Sequence, residues 1–466
     1  MLPLMQHQKD DVDWIWRCGR GLLGNEPGLG KSRSAIEATK GMETLVIAPS
    51  MVLVGGTWKD EIAKWAEDPD KYTTVAYTSL NARVKTGGKD GKNLSATKPT
   101  GKVRPGLEGP WEAIIVDESH YMKGRETSWT AVIQRLAAKS DLVLSMTGTP
   151  VPNWSSELFT TLQLINPEEA TPGKKYGSFW RWADEWFESS ISPYGENVKV
   201  IDGMRGCTPK CKARAATDPC EHYQHFTSVN LGVNYRRVYR HHVLDLPEKT
   251  ETKVFTPMEP YTRKLYNQLK TNFAASHEGT DLLVWNQGAL NVMLDKCTVS
   301  SWFMAKNGKP RGGKLEQLRL DLSGRSRATL VLAHHRDVVE ACSAVAESVG
   351  LRSAYVHGGT STQHKALAIK AFKEGRLDVL CGSLDSVAEG MTLTVADMAI
   401  FVESSWKRYR NEQALYRIWR LGQEWPVTIR HYITPNSVDE KKRAIVALKE
   451  MDAIKTMTAA EYTALL

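Results

Sequence analysis

Short unbroken apolar runs recur along the chain, and each stops at a polar or Gly/Pro loop. In the first half they are TLVIA (44–48), AIIV (113–116) and LVLSM (142–146), which run into PS, DESH and TGTP. Runs of this length and bounding suit parallel strands buried on both faces. Between them SRSAIEATK and TSWTAVIQRLAAK carry helical spacing. The second half repeats the theme, with strand-like runs in RATLVLAHH, RLDVLCGS and ADMAIFVES and a helix in RDVVEACSAVAESVG. Alternating strand and helix predicts an α/β fold of doubly wound parallel sheets. The second such domain is expected over about 312–440. Ligands of these folds bind at the carboxyl ends of strands, which is where GKS, DESH and TGTP fall.

Three stretches depart from the alternation. Residues 81–110 are rich in Gly, Lys, Thr and Pro and read as a long flexible insertion. Residues 189–232 lack periodicity and hold a Cys/His cluster, and 255–305 read as mostly helical, bridging the two α/β domains. A length of 466 residues suits two or three domains. Sixty-one Lys+Arg against 53 Asp+Glu leave a net charge of +8, compatible with a phosphate-backbone partner without requiring one. The start, MLPLMQHQKDD, lacks the pattern of a secretory signal, and no run of about 18 apolar residues suggests a membrane span. Seven cysteines in a chain this long do not form a disulfide framework, so an intracellular, cytoplasmic setting is expected.

The stretch GNEPGLGKS (24–32) raises the question of chemistry. A phosphate-binding loop needs small residues that let backbone N–H groups face the phosphates, a Lys to neutralise them and a hydroxyl for Mg²⁺. Gly28, Leu29 and Gly30 supply the loop, Lys31 the charge and Ser32 the hydroxyl. Asn25 stands where the generic pattern has Gly. About 85 residues on, Asp117 and Glu118 end an apolar strand, where the Mg²⁺-holding acid of such folds belongs. Asp117 is expected to hold Mg²⁺, and Glu118 to orient and deprotonate the attacking water. Loop and carboxylates together predict hydrolysis of a nucleoside triphosphate.

With these motifs assembled, the chain resembles the Swi/Snf (Snf-two) family of helicase-like ATPases in helicase superfamily two. DESH is a variant of the DEAH box, and NEPGLGKS is similar to the family's DEMGLGKT loop. LMQHQKDDVDWIW matches its opening Q motif, and TLVIAPSMVLVGGTWKDEIAKW its motif Ia. YRRVYRHHVLDLPEK resembles its interlobe stretch and GGKLEQL the start of its second lobe. EGMTLTVAD resembles motif V and NEQALYRIWRLGQ motif VI. The resemblance runs from about residue 4 to 434. The DESH form and the length are similar to the annealing-helicase branch.

The resemblance implies two RecA-like lobes with ATP between them: 1–245 as the ATP-binding lobe, 246–311 as a helical bridge and 312–466 as the second lobe. It implies that Gln8 reads adenine and that Arg417 and Arg420 reach the γ-phosphate region, Arg420 as the arginine finger. Gly390 and Gln413 would line the same cleft, and Thr147 and Thr149 would link it to the lobe interface. Pro49, Ser50 and Thr392 would face a DNA backbone. Asn25 and Pro27 replace the family's usual Asp and Met. Tyr416 and Trp419 replace common Asp and His, and Thr392 a common Asn. None of these removes a catalytic group. Trp406 stands at the family's W-N-P element, as a cleft-wall residue.

The expected activity is therefore ATP-dependent translocation on double-stranded or forked DNA by a monomeric motor, with ATP and Mg²⁺ as cofactors and no membrane partner. An RNA-directed helicase and a nucleotide-gated scaffold with little turnover are the competing classes. Lys85, Lys89, Lys92, Lys98, Lys102 and Arg104 of the insertion either grip DNA loosely or form a solvated surface. The scarcity of sequence outside the motor suggests a bacterial or viral origin. Tryptophans at helical spacing, as in FWRWADEWF, are expected to pack in cores. Separately, Cys207, Cys211, Cys220 and His222, with His225 nearby, offer thiolate and imidazole ligands for a tetrahedral structural Zn²⁺, or else form an exposed loop with incidental thiols.

Overall fold

The computed structural model describes residues 3–85, 97–125, 127–167, 179–191, 199–215, 217–277, 280–305, 312–387 and 392–465. The apolar runs become strands. Thr44–Ala48, Ala113–Asp117 and Leu142–Met146 lie side by side in a parallel sheet ordered 235–236, 20–23, 142–146, 113–117, 44–48 and 72–76. Leu45, Val46, Ile47, Ile114, Ile115 and Val116 are fully buried, which explains why these strands read as continuous runs. Each such side chain contributes about 1.5–3 kcal/mol on leaving water. The register pairs Leu23 with Met146 and Asp117 with Met146, so the loops after these three strands open side by side on one edge.

A second parallel sheet is ordered 249–255, 427–433, 398–401, 329–333, 379–383 and 353–356. Three of its four inner strands are the runs read from sequence, and the fourth is Val427–Ile433. Its outer strands, such as Lys249–Phe255 with its exposed polar residues, carry no such signal. The α/β class with two RecA-like parallel-sheet lobes holds.

The chain divides into two units, Met1–Val243 with Lys449–Leu466, and Leu244–Leu448. Two boundaries differ from those read in the sequence. The stretch from 246 joins the second unit because Lys249–Phe255 pairs with Val427–Ile433 in that unit's sheet. Residues 449–466 join the first unit because helix Val438–Leu465 buries Ala453, Met457, Ala459 and Ala460 in that unit's core. The bridge region carries the expected helices Pro260–Asn272 and Gln287–Val299, with hairpin 274–277/280–283 between them.

The insertion at 81–110 departs from a flexible reading. Asn81–Lys85 and Thr97–Val103 form an antiparallel hairpin, Arg135 of helix Ser128–Ala137 donates to the Gly101 carbonyl, and Leu107 is buried. A few apolar anchors suffice to dock a segment whose composition is otherwise polar. Residues 86–96, with Lys89 and Lys92, lie outside the described residues. The second insertion is also built. Phe187–Ile191 pairs with Lys199–Met204, and helices Pro209–Ala213 and Glu221–Asn230 follow. Trp182, Trp186, Phe187 and Phe226 form its core, as expected for the FWRWADEWF tryptophans. Among the described residues no helix is long and apolar enough to cross a membrane.

Candidate active site

The phosphate loop leaves strand Arg20–Leu23 and enters helix Lys31–Ala38. Gly28 (φ +90°) and Gly30 (φ +72°) adopt the left-handed backbone that glycine permits. A side chain at Gly30 would lie 2.3 Å from the Gln8 amide nitrogen, so Gln8 sits directly on the loop. Its neighbour His7 places Nε2 3.0 Å from the Leu29 carbonyl. Helix Gln6–Cys18 thus touches the loop through two consecutive side chains.

A third residue of that helix, Asp11, is fully buried and organises the loop from behind. Its carboxylate accepts from Asn25 Nδ2 at 2.8 Å, Ser34 Oγ at 3.0 Å and Arg236 Nε at 2.7 Å. Asn25 therefore suits this chain where the family usually has Asp: an amide donates to Asp11, whereas a carboxylate would repel it. Glu26 accepts from the Arg240 backbone N–H at 2.9 Å and Nε at 3.2 Å, which holds its carboxyl below the usual range despite burial. Gly24 and Glu26 donate backbone N–H groups to Arg236 and Val238 carbonyls at 2.7 and 3.1 Å. Pro27 packs on Gly148 of TGTP, where a Cβ would lie 2.6 Å from the proline ring. Asp11, Arg236 and Arg240 were missed in the sequence. Their signals were an acid on the buried face of the first helix and the arginines of the interlobe stretch.

Lys31 Nζ donates to the loop's own carbonyls, Asn25 at 2.7 Å and Glu26 at 3.3 Å. Burial pushes its ammonium pKa down, and the charges of Glu118 and Asp117 oppose that shift. Asp117 accepts from Trp58 Nε1 at 2.8 Å and from the Glu118 N–H at 2.9 Å, while Tyr77 donates to its carbonyl at 2.8 Å. Burial, then the Glu118 charge, raise the Asp117 carboxyl to about 6. Glu118 is a non-glycine residue in the left-handed region, at φ 49° and ψ 49°. Strain of this kind persists where the surroundings enforce it. Here Thr147 Oγ1 donates to Glu118 Oε2 at 3.3 Å, and His120 Nδ1 lies 3.3 Å from the same oxygen and 3.0 Å from Thr147 Oγ1. Thr149 N–H closes on Thr147 Oγ1 at 3.1 Å. DESH and TGTP are therefore one hydrogen-bonded group. The Ser32 hydroxyl and the Asp117 carboxylate are hard oxygen donors of the kind Mg²⁺ takes, and the glycine-lined loop beside Lys31 fits phosphates.

A model of the SNF2-related domain matches residues 7–296, and one of the helicase conserved C-terminal domain matches 313–422. The chain belongs to the SNF2-related family. It is one of the helicase-like ATPases of superfamily two. The human protein "DNA annealing helicase and endonuclease ZRANB3" is 23% identical over 94% of this chain and 39% of its own length. "ATP-dependent DNA helicase DDM1" of Arabidopsis thaliana is 23% identical over 96% of this chain and 61% of its own. This SNF2-related chain thus spans about two fifths to three fifths of these relatives. Their sources lend no support to a bacterial or viral origin. A solved structure, "Sulfolobus solfataricus SWI2/SNF2 ATPase core in complex with dsDNA", is similar over 100% of this chain and 95% of its own at 18% identity, with a TM-score of 0.38.

Of the SNF2-related site residues read from sequence, Gln8, Gly28, Leu29, Gly30, Lys31, Ser32, Asp117 and Glu118 lie in the first unit. Gln413, Arg417 and Arg420 lie in the second, and Gly390 falls outside the described residues. Gln413 is buried, and the Arg417 carbonyl accepts the Leu393 N–H at 2.8 Å, tying motif VI to motif V. Trp419 donates to the Pro247 carbonyl at 2.9 Å and, with Tyr416, packs on the second unit's core. Those two departures from the family pattern therefore act as packing residues. Trp406 also packs on a core cluster. Ser50 Oγ lies 3.3 Å from Thr78 Oγ1 on an exposed surface.

Proposed function

We propose that this chain is an ATP-dependent translocase on double-stranded DNA, a motor that turns ATP hydrolysis into movement along the duplex in DNA replication, repair or recombination. It works as a monomer inside the cell, on double-stranded or forked DNA. The observation that carries the reading is the strained Glu118, held by the Thr147–His120 pair beside Asp117 and under the charge of Lys31.

In this reading the N–H groups of the 28–30 loop and the Lys31 ammonium hold the phosphates, and Gln8 reads the adenine. Ser32 and Asp117 hold Mg²⁺, which neutralises phosphate charge when bound. Glu118 accepts a proton from water as the water oxygen bonds to the γ-phosphorus and the bond to the β-bridging oxygen breaks, leaving ADP and phosphate. Arg420, with Arg417, stabilises the charge on the transferring group. Pro49, Ser50 and Thr392 meet the DNA backbone, and such contacts are salt-sensitive and blind to sequence.

The test is ATPase rate without nucleic acid and with duplex, single-stranded and forked DNA and RNA, for the chain and for Glu118→Gln. Stimulation by duplex or forked DNA, with a loss of about 10²–10⁴ in kcat in the variant, is expected. Stimulation by RNA alone would replace the reading with an RNA helicase. A rate no higher than the variant's on every polymer would leave a nucleotide-gated scaffold.

A further inference from the structure

The second insertion has a segment with little to hold it. Between Met204 and Pro219 every described side chain except the two cysteines is exposed. Yet the segment turns sharply at Gly206 (φ +76°), makes one helical turn at Pro209–Ala213 and returns to helix Glu221–Asn230. The groups at its centre are Cys207, Cys211, Cys220 and His222, whose ligand atoms all lie within 4.8 Å of one another.

Their spacing is that of a coordination sphere. Zn–S bonds of about 2.3 Å and Zn–N bonds of about 2.0 Å set tetrahedral ligand atoms about 3.8 Å apart for S–S and about 3.5 Å for S–N. Cys207 Sγ and Cys220 Sγ are 3.5 Å apart, and Cys220 Sγ and His222 Nδ1 are 3.6 Å apart. A disulfide would bring the sulfurs to about 2.05 Å. Neighbouring groups favour the thiolate at Cys211 and Cys220. Thr208 Oγ1 donates to Cys211 Sγ at 3.5 Å, and Cys220 is the N-cap of a ten-residue helix, where the dipole favours negative charge. Nε2 of His222 lies over Gly206, 2.8 Å from where a Cβ would stand, so the turn leaves Nδ1 toward the sulfurs.

The elements that bear the ligands also receive the C-terminal helix. Lys455 Nζ donates to the Cys211 carbonyl at 3.2 Å. Tyr223, next to His222, donates to Asp452 at 2.6 Å, and Asp452 also accepts from Ser155 N and Oγ at 2.7 and 2.6 Å. We propose that Cys207, Cys211, Cys220 and His222 bind one structural Zn²⁺, and that this ion fixes the surface on which residues 449–461 dock. It takes no part in hydrolysis and does not depend on the translocase reading.

The full chain, purified in zinc-containing buffer, is assayed for metal by mass spectrometry of the digested protein. About one equivalent per chain is expected, falling to near none in Cys211→Ala and in His222→Ala and unchanged in Cys18→Ser. The Co²⁺-loaded wild type should show the visible bands of a tetrahedral thiolate site, a readout that needs no variant to fold. Chelation should open tryptic cleavage after Lys210 or Arg214 and lower amide-exchange protection at 449–461. Metal-free protein with reactive thiols, or a Cys207–Cys220 disulfide in peptide maps, would overturn the site. Zinc loss that leaves 449–461 protected would overturn its docking role.

Discussion

Lys314 is fully buried and Lys31 partly so, and they are held in opposite ways. Lys314, in the second unit, has a partner for each of its three donors: Asp439 at 2.7 Å, the Val402 carbonyl at 3.0 Å and Thr298 Oγ1 at 3.2 Å. It ties helix Gly313–Leu322 to the start of the C-terminal helix. Nearby, Lys442 pairs with Asp295 at 3.0 Å, and Glu403 accepts the His334 and His335 N–H groups at 2.9 Å each, with its carboxyl held down to about 2. Lys31 instead leans on two carbonyls of its own loop, and burial lowers its pKa. A saturated buried cation builds structure. One propped on weak local acceptors is ready to exchange them for an anion.

The largest effects should separate these two lysines. Lys31→Met is expected to abolish ATP turnover while leaving the chemical-denaturation profile close to wild type. Lys314→Met strands the Asp439 carboxylate and should destabilise the second unit by about 3–5 kcal/mol. Pairing it with Asp439→Leu should recover much of that loss, because a neutral pair leaves no buried charge behind. If Lys314→Met unfolds no earlier in urea, Lys314 does not have the structural role assigned to it.

Next in size is Asn25→Asp, which restores the residue common in the family. In this chain it sets a second carboxylate 2.8 Å from Asp11 and removes a donor, a change costing about 1–3 kcal/mol at the loop. A several-fold rise in the KM for ATP is expected. Asp11→Asn in the same chain should relieve it, and an unchanged KM would show that Asp11 does not shape the loop.

The smallest effect is on pH dependence. The Asp117 carboxyl lies near 6, above its ordinary 3.8. The nucleotide-free fold therefore favours the protonated form. Ionising it costs stability as pH rises between those values, and that cost persists at neutral pH. A cation must displace the proton, so affinity for Mg²⁺-ADP should weaken by up to roughly tenfold per unit as pH falls below 6. Calorimetry across that range, with Asp117→Asn as the variant lacking the trend, checks it.

What was legible in the sequence was whatever local pattern encodes. The buried strands showed as apolar runs, and Lys31, Asp117, Glu118 and Thr147 sit at their ends, where the fold puts ligands. Cys207, Cys211 and Cys220 showed by crowding. What was not legible depends on pairing across the chain. Asp11 meets Arg236 only because strand Tyr235–Arg236 adds to the sheet beside Arg20–Leu23. The return of 449–461 to the first unit rests on Asp452, Lys455, Met457 and a few alanines, which carry no address in a helix of mixed composition. The 81–110 hairpin was misread because composition weighs its lysines and glycines above the buried Leu107.

In the proposed motor the Glu118 site drives movement on duplex DNA. A triplex-displacement assay measures it directly: a third strand is released only when a motor travels along the duplex beneath it. Release is expected to require ATP and Mg²⁺ and to be lost in Glu118→Gln with DNA binding retained. ATP hydrolysis at full rate on the same DNA with no strand released would contradict it.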